Sequence, residues 1–319
     1  MSKINLSLTF HAVMLACGLH ATTSYAQMTT TFVSATRGDN ANPCTFVAPC
    51  RSFQAAHDNT FPDGQITVLD PGTYGAVTIT KSISIVNDGV GEASIPVSGG
   101  GTGITVNAPA TSGYVNIRGI TVQGIGFGGG TGLRFNSGFS LTIENCIFRN
   151  HTLDGISFLP SSGSSRLLVS NTLVADNGGH GILVQPNFSA SAKAVFTRVK
   201  VANNSQHGIF VSADASVATG INGAVVDSVA SGNGSAGFAV SSGAGFGTSF
   251  LVTRSVIAGN QTGLFAISSA AILRVGQSAV TGNGVSWAAP SGGTVQSYGD
   301  NDINGNADGD PAPAAIAKK

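Results

Sequence analysis

Apolar and polar residues alternate along this chain in short runs, and the runs come back in a fixed order. Asn177-Gly178-Gly179-His180-Gly181-Ile182-Leu183-Val184 returns as Asn204-Ser205-Gln206-His207-Gly208-Ile209-Phe210-Val211. It returns again from Asn233 to Val240 and, shortened, from Asn260 to Ala266. An earlier copy opens at Asn150 and a late, degenerate one at Asn283. A period of roughly 21–29 residues is the signature of a solenoid. Laid over one another, the copies give apolar columns two residues apart: Leu141, Leu167, Ala194, Gly223, Phe250 and Leu273, then Ile143, Val169, Phe196, Val225, Val252 and Val275. Period-two alternation predicts a strand with one buried face.

A polar column follows (Asn145, Asn171, Arg198, Asp227, Arg254, Gln277), then a small one (Cys146, Thr172, Val199, Ser228, Ser255, Ser278). Phe148, Val174, Val201, Ala230, Ile257 and Val280 mark a second strand. The apolar pair after each glycine, such as Ile182 and Val184, marks a third. Each repeat is therefore three short strands, two tight corners and one longer loop. Stacking sets each strand about 4.8 Å above its equivalent in a parallel ladder, and only stacking buries the apolar faces. The recurrent Asn is expected to bond the rungs above and below it. The following Gly is expected to supply φ > 0 or a close backbone approach.

The flanks read as caps and early rungs. A short helical pattern within 49–59, with Phe53, Ala55 and Ala56, is expected to cover the first rung. Strands are predicted at 65–70, 76–80 and 82–85, around the turn Pro71–Gly75, and regular rungs from Val115–Val122 onward. Tyr298–Asn306 reads as a closing half-rung, and the Ala/Pro-rich tail 311–319 as disordered. The fold expected is all-β, with one solenoid domain over 27–310.

Composition narrows the partners. Charged residues are 9% of the chain, the net charge is zero and there are 44 glycines. That balance argues against nucleic acid or an anionic membrane as an electrostatically bound partner. Residues 1–26 read as a secretory signal: Lys3, an apolar run Leu6–Leu19, and Ser24-Tyr25-Ala26 before Gln27. The apolar run is too short to span a membrane. A rival reading takes Leu15-Ala16-Cys17-Gly18 as a lipobox with a lipid anchor at Cys17. Either way the protein is exported, to the periplasm, the cell surface or the medium. Export predicts a Cys44–Cys50 disulfide, whereas Cys146, inside a repeat, reads as a buried small apolar residue.

Stacking brings candidate chemistry together. Asp154, His180 and His207 precede the glycine of successive rungs, a carboxylate beside two imidazoles suited to acid–base work or one metal ion. The alternative is plain stacking of flat polar side chains. Arg198, Asp227 and Arg254 succeed one another at the first corner, with Lys200 near. They suit recognition of an acidic sugar with an arginine as base, or else a salt-bridge ladder. The densest acidic group is Asp300, Asp302, Asp308 and Asp310. A loose Ca²⁺ site would sit there, but the Gly-rich nonapeptide of calcium-binding β-rolls is missing, which favours solvated turns and no resident cofactor. The loops 160–166, 185–193, 212–222 and 241–248 would stack into a ridge with Phe188 and Phe246 exposed.

Val68-Leu69-Asp70-Pro71-Gly72-Thr73-Tyr74, leading to Ile79-Thr80-Lys81-Ser82-Ile83-Ser84-Ile85, resembles the opening rungs of the pectate-lyase-like superfamily. The Asn…Gly-Ile-x-Val copies resemble right-handed parallel β-helix repeats. Gly38–Cys44, Ala48–Phe53 and Ser297–Asn301 resemble the two ends of short exported bacterial β-helix proteins. The resemblance implies a single-stranded right-handed parallel β-helix with three strands per rung and a short N-terminal capping helix. It does not fix an activity, because such folds host many. The preferred expectation is a monomeric, non-catalytic surface or carbohydrate-interaction protein whose partner is an extracellular polysaccharide. The alternative is a polysaccharide lyase or epimerase acting on an acidic, uronate polymer, with Arg198, Arg254, Asp154, His180 and His207 as its candidate residues.

Overall fold

A computed structural model describes residues 28–124, 126, 128–187, 189–213, 220–243 and 247–318. The segment 1–26 read as a signal, with Cys17, and the loop residues Phe188 and Phe246 lie outside the described residues. Three parallel sheets of 12, 10 and 9 strands run the length of the chain, here called A, B and C. One rung illustrates the plan: Ser140–Glu144 in sheet A, Ile147–Arg149 in sheet B, Ile156–Phe158 in sheet C. Registers follow the columns, with Leu141 beside Leu167, Phe148 beside Val174 and Ile156 beside Ile182. The inward residues are fully buried and form one continuous core.

The first corner explains the polar column. Asn145, Asn171, Arg198, Asp227, Arg254 and Gln277 all have φ of 47–54°. Asn and Asp tolerate this left-handed region best. The small column behind it forms a hydroxyl ladder. Ser228 Oγ donates to Val226 O (2.8 Å) and accepts the Val199 N–H (3.1 Å) of the rung before, and Ser255 repeats this toward Ser228.

The second corner corrects the alignment. Asn150 stands at the left-handed position, with φ 60°, beside Asp176 and Asn203 of later rungs. His151 is therefore the residue that stacks with Asn177, Asn204, Asn233, Asn260, Asn283 and Asn306, all buried. Each Asn donates its N–H and Nδ2–H to the Oδ1 of the next, as Asn204 does to Asn233 (3.2 and 3.0 Å). Nδ2 also reaches back to a carbonyl of the rung before, such as Val174 O. The glycine after the ladder answers to close approach, not to φ. A Cβ on Gly181 would lie 2.6 Å from Gly208 O and 2.8 Å from Asn204 Nδ2.

The N-terminal end is closed by helix α1 (Phe53–Asn59), whose first turn Ser52 caps by accepting the Ala55 N–H. Cys44 and Cys50 are disulfide-bonded, with Cα atoms 4.6 Å apart. Asp70 ties this cap to the first rung. It accepts from Ser34 Oγ (2.6 Å), Ala35 N (2.6 Å), Thr36 Oγ1 (2.5 Å) and Tyr74 OH (2.7 Å). Those bonds hold its carboxyl well below the usual range even though burial opposes them. The strand pattern missed Met28–Val33, Ala93–Pro96 and Thr102–Asn107, which complete the early rungs.

At the other end the described part of the tail lies along the last rung. Ala314–Ala315 pairs in parallel with Gln296–Ser297, and Trp287 Nε1 donates to Pro311 O (2.8 Å). The physical reason is the open edge of the last sheet A strand, whose backbone groups need partners. Among the described residues no helix is long and apolar enough to cross a membrane.

Removing one Asn from mid-ladder leaves several buried polar groups unpaired. Asn233→Ala is expected to cost about 3 kcal/mol, since each orphaned buried group costs roughly 1–3 kcal/mol. Asn203→Gly, at the exposed left-handed position, is expected to cost less than about 0.5 kcal/mol. Urea unfolding of the two variants checks the contrast.

Candidate functional site

Stacking does bring Asp154, His180 and His207 together. The two imidazoles are parallel, with centroids 5.3 Å apart and planes within 5°. Phe210 packs 4.9 Å from His207. The Nδ1 atom of each ring is used for the fold. His180 Nδ1 accepts the His207 N–H (3.3 Å), and His207 Nδ1 accepts the Ala236 N–H (3.0 Å). Asp154 starts the series, taking the His180 N–H on Oδ1 (2.8 Å) and Ser157 Oγ on Oδ2 (2.7 Å). Both rings are thus held as the neutral tautomer with the proton on Nε2. Burial pushes His180 down, and burial with the neighbouring His180 pushes His207 down to about 4. This is a hydrogen-bond ladder parallel to the Asn ladder.

The corner arginines form a second ladder. Arg254 grips Asp227 through Nε–Oδ1 (2.7 Å) and Nη2–Oδ2 (3.2 Å), and Arg198 Nε donates to Asn171 Oδ1 (2.5 Å). The bond from Arg254 holds the Asp227 carboxyl below its ordinary range. All three side chains stand on a convex edge, where a salt bridge is screened by water.

The acidic group at the end of the chain does not converge. Asp300 faces Lys318 and accepts the Gln277 N–H, Asp308 binds Ser286, and Asp310 binds Gly305 and Asn306. Among the described residues no three His, Cys, Asp or Glu side chains lie close enough to share a metal ion. The Cys146 thiol is buried and pushed up to about 12 by that burial, so it is neither nucleophile nor ligand at neutral pH.

Two concavities lie on the outer face of sheet A. A cleft of about 810 Å³ opens near its C-terminal end. Leu251, Thr253 and Gly276 form the floor, with Arg274, Gln296 and Tyr298 beside them and Ile316–Lys318 as a wall. Gly276 admits the Tyr298 ring, which would sit 3.0 Å from a Cβ placed there. A shallower depression of about 250 Å³, lined by Gln65, Ser84, Asn116, Arg118, Thr142 and Glu144, lies toward the other end. Arg118 and Arg274 stand on strands six places apart in sheet A, roughly 29 Å at about 4.8 Å per strand. Between them Arg166, over the Phe139 ring at 5.0 Å, adjoins Lys193 in register.

The inward columns and the corners drew attention in the sequence. The cleft residues stand at the outward positions between those columns. The signal for them was present in the register of Leu251, Arg274 and Gln296 on neighbouring strands. The tail that walls the cleft carried no such signal.

His151 occupies the first Asn position of the ladder. Its Nε2 stands 3.2 Å from Val122 O, the bond an Asn Nδ2 makes elsewhere, while its buried Nδ1 has no partner. Burial lowers its pKa from 6.5 to about 4. The unfolded chain therefore takes up that proton first. The stabilisation is full above pH 6.5 and is lost as pH falls from 6.5 to about 4. For His151 the loss is on the order of 3 kcal/mol. His151→Asn is expected to reduce the dependence of Tm on pH in that window by its own share, leaving that of His180 and His207, measured by thermal melts.

No curated protein matches this chain significantly. Among solved structures, pectate lyase Pel9A is 17% identical, with a TM-score of 0.58, covering 92% of this chain and 80% of its own. A rhamnogalacturonan lyase is 13% identical at a TM-score of 0.47, over 79% of this chain and 76% of its own. The A-module of the mannuronan C-5 epimerase AlgE4 from Azotobacter vinelandii is 13% identical at 0.44, over 80% and 91%. At such identities the likeness to Pel9A extends to the fold, as the resemblance read in the sequence implied. The family described as "right handed beta helix region" matches residues 94–307, most of the solenoid. This chain belongs to the right-handed β-helix family.

Proposed function

We propose that the protein is an exported β-helix that binds an acidic polysaccharide along the outer face of sheet A. The observation that carries this reading is the coincidence of shape and charge on one face. Both clefts open there, and Arg118 (paired with Asp88), Arg166, Lys193 and Arg274 project from it against Glu144 and Asp300. An elongated face with cations at intervals suits a chain of carboxylate-bearing sugars better than a small ligand. Tyr298 and the partly exposed Tyr114–Phe139 pair, with rings 5.1 Å apart, supply flat apolar surface for sugar rings.

A second reading, turnover of the same polymer by a lyase or epimerase, is favoured by the fold shared with Pel9A, which is a pectate lyase. Such chemistry needs a base for the proton next to the uronate carboxyl and a cation on that carboxyl. Arg274 and Lys318 supply positive charge in the cleft. The corner residues Arg198 and Arg254 and the ladder residues Asp154, His180 and His207 stand outside it and are already bonded to the fold.

One experiment separates the readings. The purified protein is mixed with polygalacturonate, alginate and neutral dextran, with binding followed by calorimetry and unsaturated ends by absorbance. Binding of the acidic polymers without new ends is expected, weakened about tenfold by Arg274→Ala, the equivalent of about 1.4 kcal/mol. Unsaturated ends would establish the lyase, and inverted uronate C5 centres, read by NMR of the recovered polymer, would establish the epimerase. Equal binding of dextran would sink the acidic-polymer reading.

A further inference from the structure

The larger cleft has a wall that the repeat does not build. Ile316, Ala317 and Lys318 come from the tail. Ala314–Ala315 pairs with Gln296–Ser297, Ile316 N donates to Ser297 O (2.9 Å), and Trp287 Nε1 donates to Pro311 O. The remaining tie is electrostatic. Lys318 Nζ lies 2.6 Å from Asp300 Oδ2, inside the cleft. Asp300 does not need Lys318 for its place, because its Oδ1 accepts the Gln277 N–H (3.1 Å) from the rung before. Lys318 is 61% exposed, on a flexible stem, and can turn from one carboxylate to another. Arg274, the other cation of the cleft, is held in place by Ser249 Oγ (2.9 Å).

We propose that the segment Ala314–Lys318 is part of the binding site, a strap that carries Lys318 into the cleft, where its ammonium binds the carboxylate of an acidic sugar in exchange for Asp300. This inference rests on the polysaccharide reading above and adds to it an exchangeable cation. Arg274 is the fixed partner of one carboxylate, and Lys318 is the mobile partner of another. Asp300 is an internal stand-in for the ligand. It keeps the ammonium in the cleft while the site is empty and weakens binding by competing for it.

The chain's one tryptophan is Trp287, and its indole N–H is bonded to Pro311 O, three residues before the strap, so its emission reports displacement of the tail that carries the strap. The test titrates polygalacturonate into the full chain at low salt, with calorimetry for Kd and Trp287 emission for the strap. Lys318→Ala is expected to weaken binding about three- to fivefold, as loss of a partly exposed charge pair does, and to abolish the emission change. Asp300→Asn is expected to tighten binding about two- to threefold by removing the competitor. Weaker binding in Asp300→Asn would mean that the ion pair only holds the wall in place, and would overturn the exchange. If Lys318→Ala and Asp300→Asn bind like the parent while Arg274→Ala binds less tightly, the strap inference falls and the polysaccharide reading stands. If the parent chain binds no acidic polymer, both fall together.

Discussion

The buried Asn ladder between sheets B and C is the constraint on which the rest of the structure depends. Each side chain in it completes the bonding of the rung before and of the rung after, so no rung is satisfied alone. An insertion at that corner would break the stack and strand buried amides, each costly to leave unpaired. Length variation is therefore pushed elsewhere. The step from one ladder residue to the next varies from 23 to 29 residues, yet the corners and short strands keep their register. The difference is absorbed in the loops between sheet C and sheet A.

The same logic governs the other polar groups of the repeat. Ser228, Ser255 and Ser278 bond backbone amides of neighbouring rungs at the first corner, and His180 and His207 do so near the second. A histidine in such a ladder is kept neutral by burial and by the amide on Nδ1, which makes it a structural acceptor instead of an acid–base group. Arg254 and Asp227 neutralise each other on the exposed edge beside them. The repeat thus consumes the chemistry of its own residues. What remains for a ligand lies on the outward face of sheet A and at the end of the solenoid, where the repeat stops and the tail takes over.

The two ends are closed by different means because they pose different problems. The first rung exposes its core in cross-section, and helix α1 with Phe53 and Ala56 covers it. The disulfide and the Asp70 cluster lock that cover in place. The last rung exposes a strand edge, and the tail pairs with it. That second solution leaves a seam, and the larger cleft lies along it.

Much of this was legible in the sequence. The solenoid, its three strands per rung, the capping helix and the Cys44–Cys50 bond follow from local patterns, because period-two alternation and a fixed repeat have few other physical solutions. The errors are equally local in origin. Asn150 was aligned with the ladder because it is an asparagine, but both the left-handed corner and the buried ladder favour that residue, and only the register places His151 in the ladder. Gly103-Ile104-Thr105-Val106 carries the apolar pair of the later third strands, but no Asn stands ahead of it to mark the corner. The sequence by itself determined which residues face inward, since burial imposes a strict period on them. Only the tertiary structure decided what the outward residues form, because Arg274, Tyr298, Asp300 and Lys318 are brought into one cleft by the stacking of separate rungs and the folding back of the tail. Outward positions carry no periodic constraint, so the register tells which of them are neighbours but not which of them form a cleft.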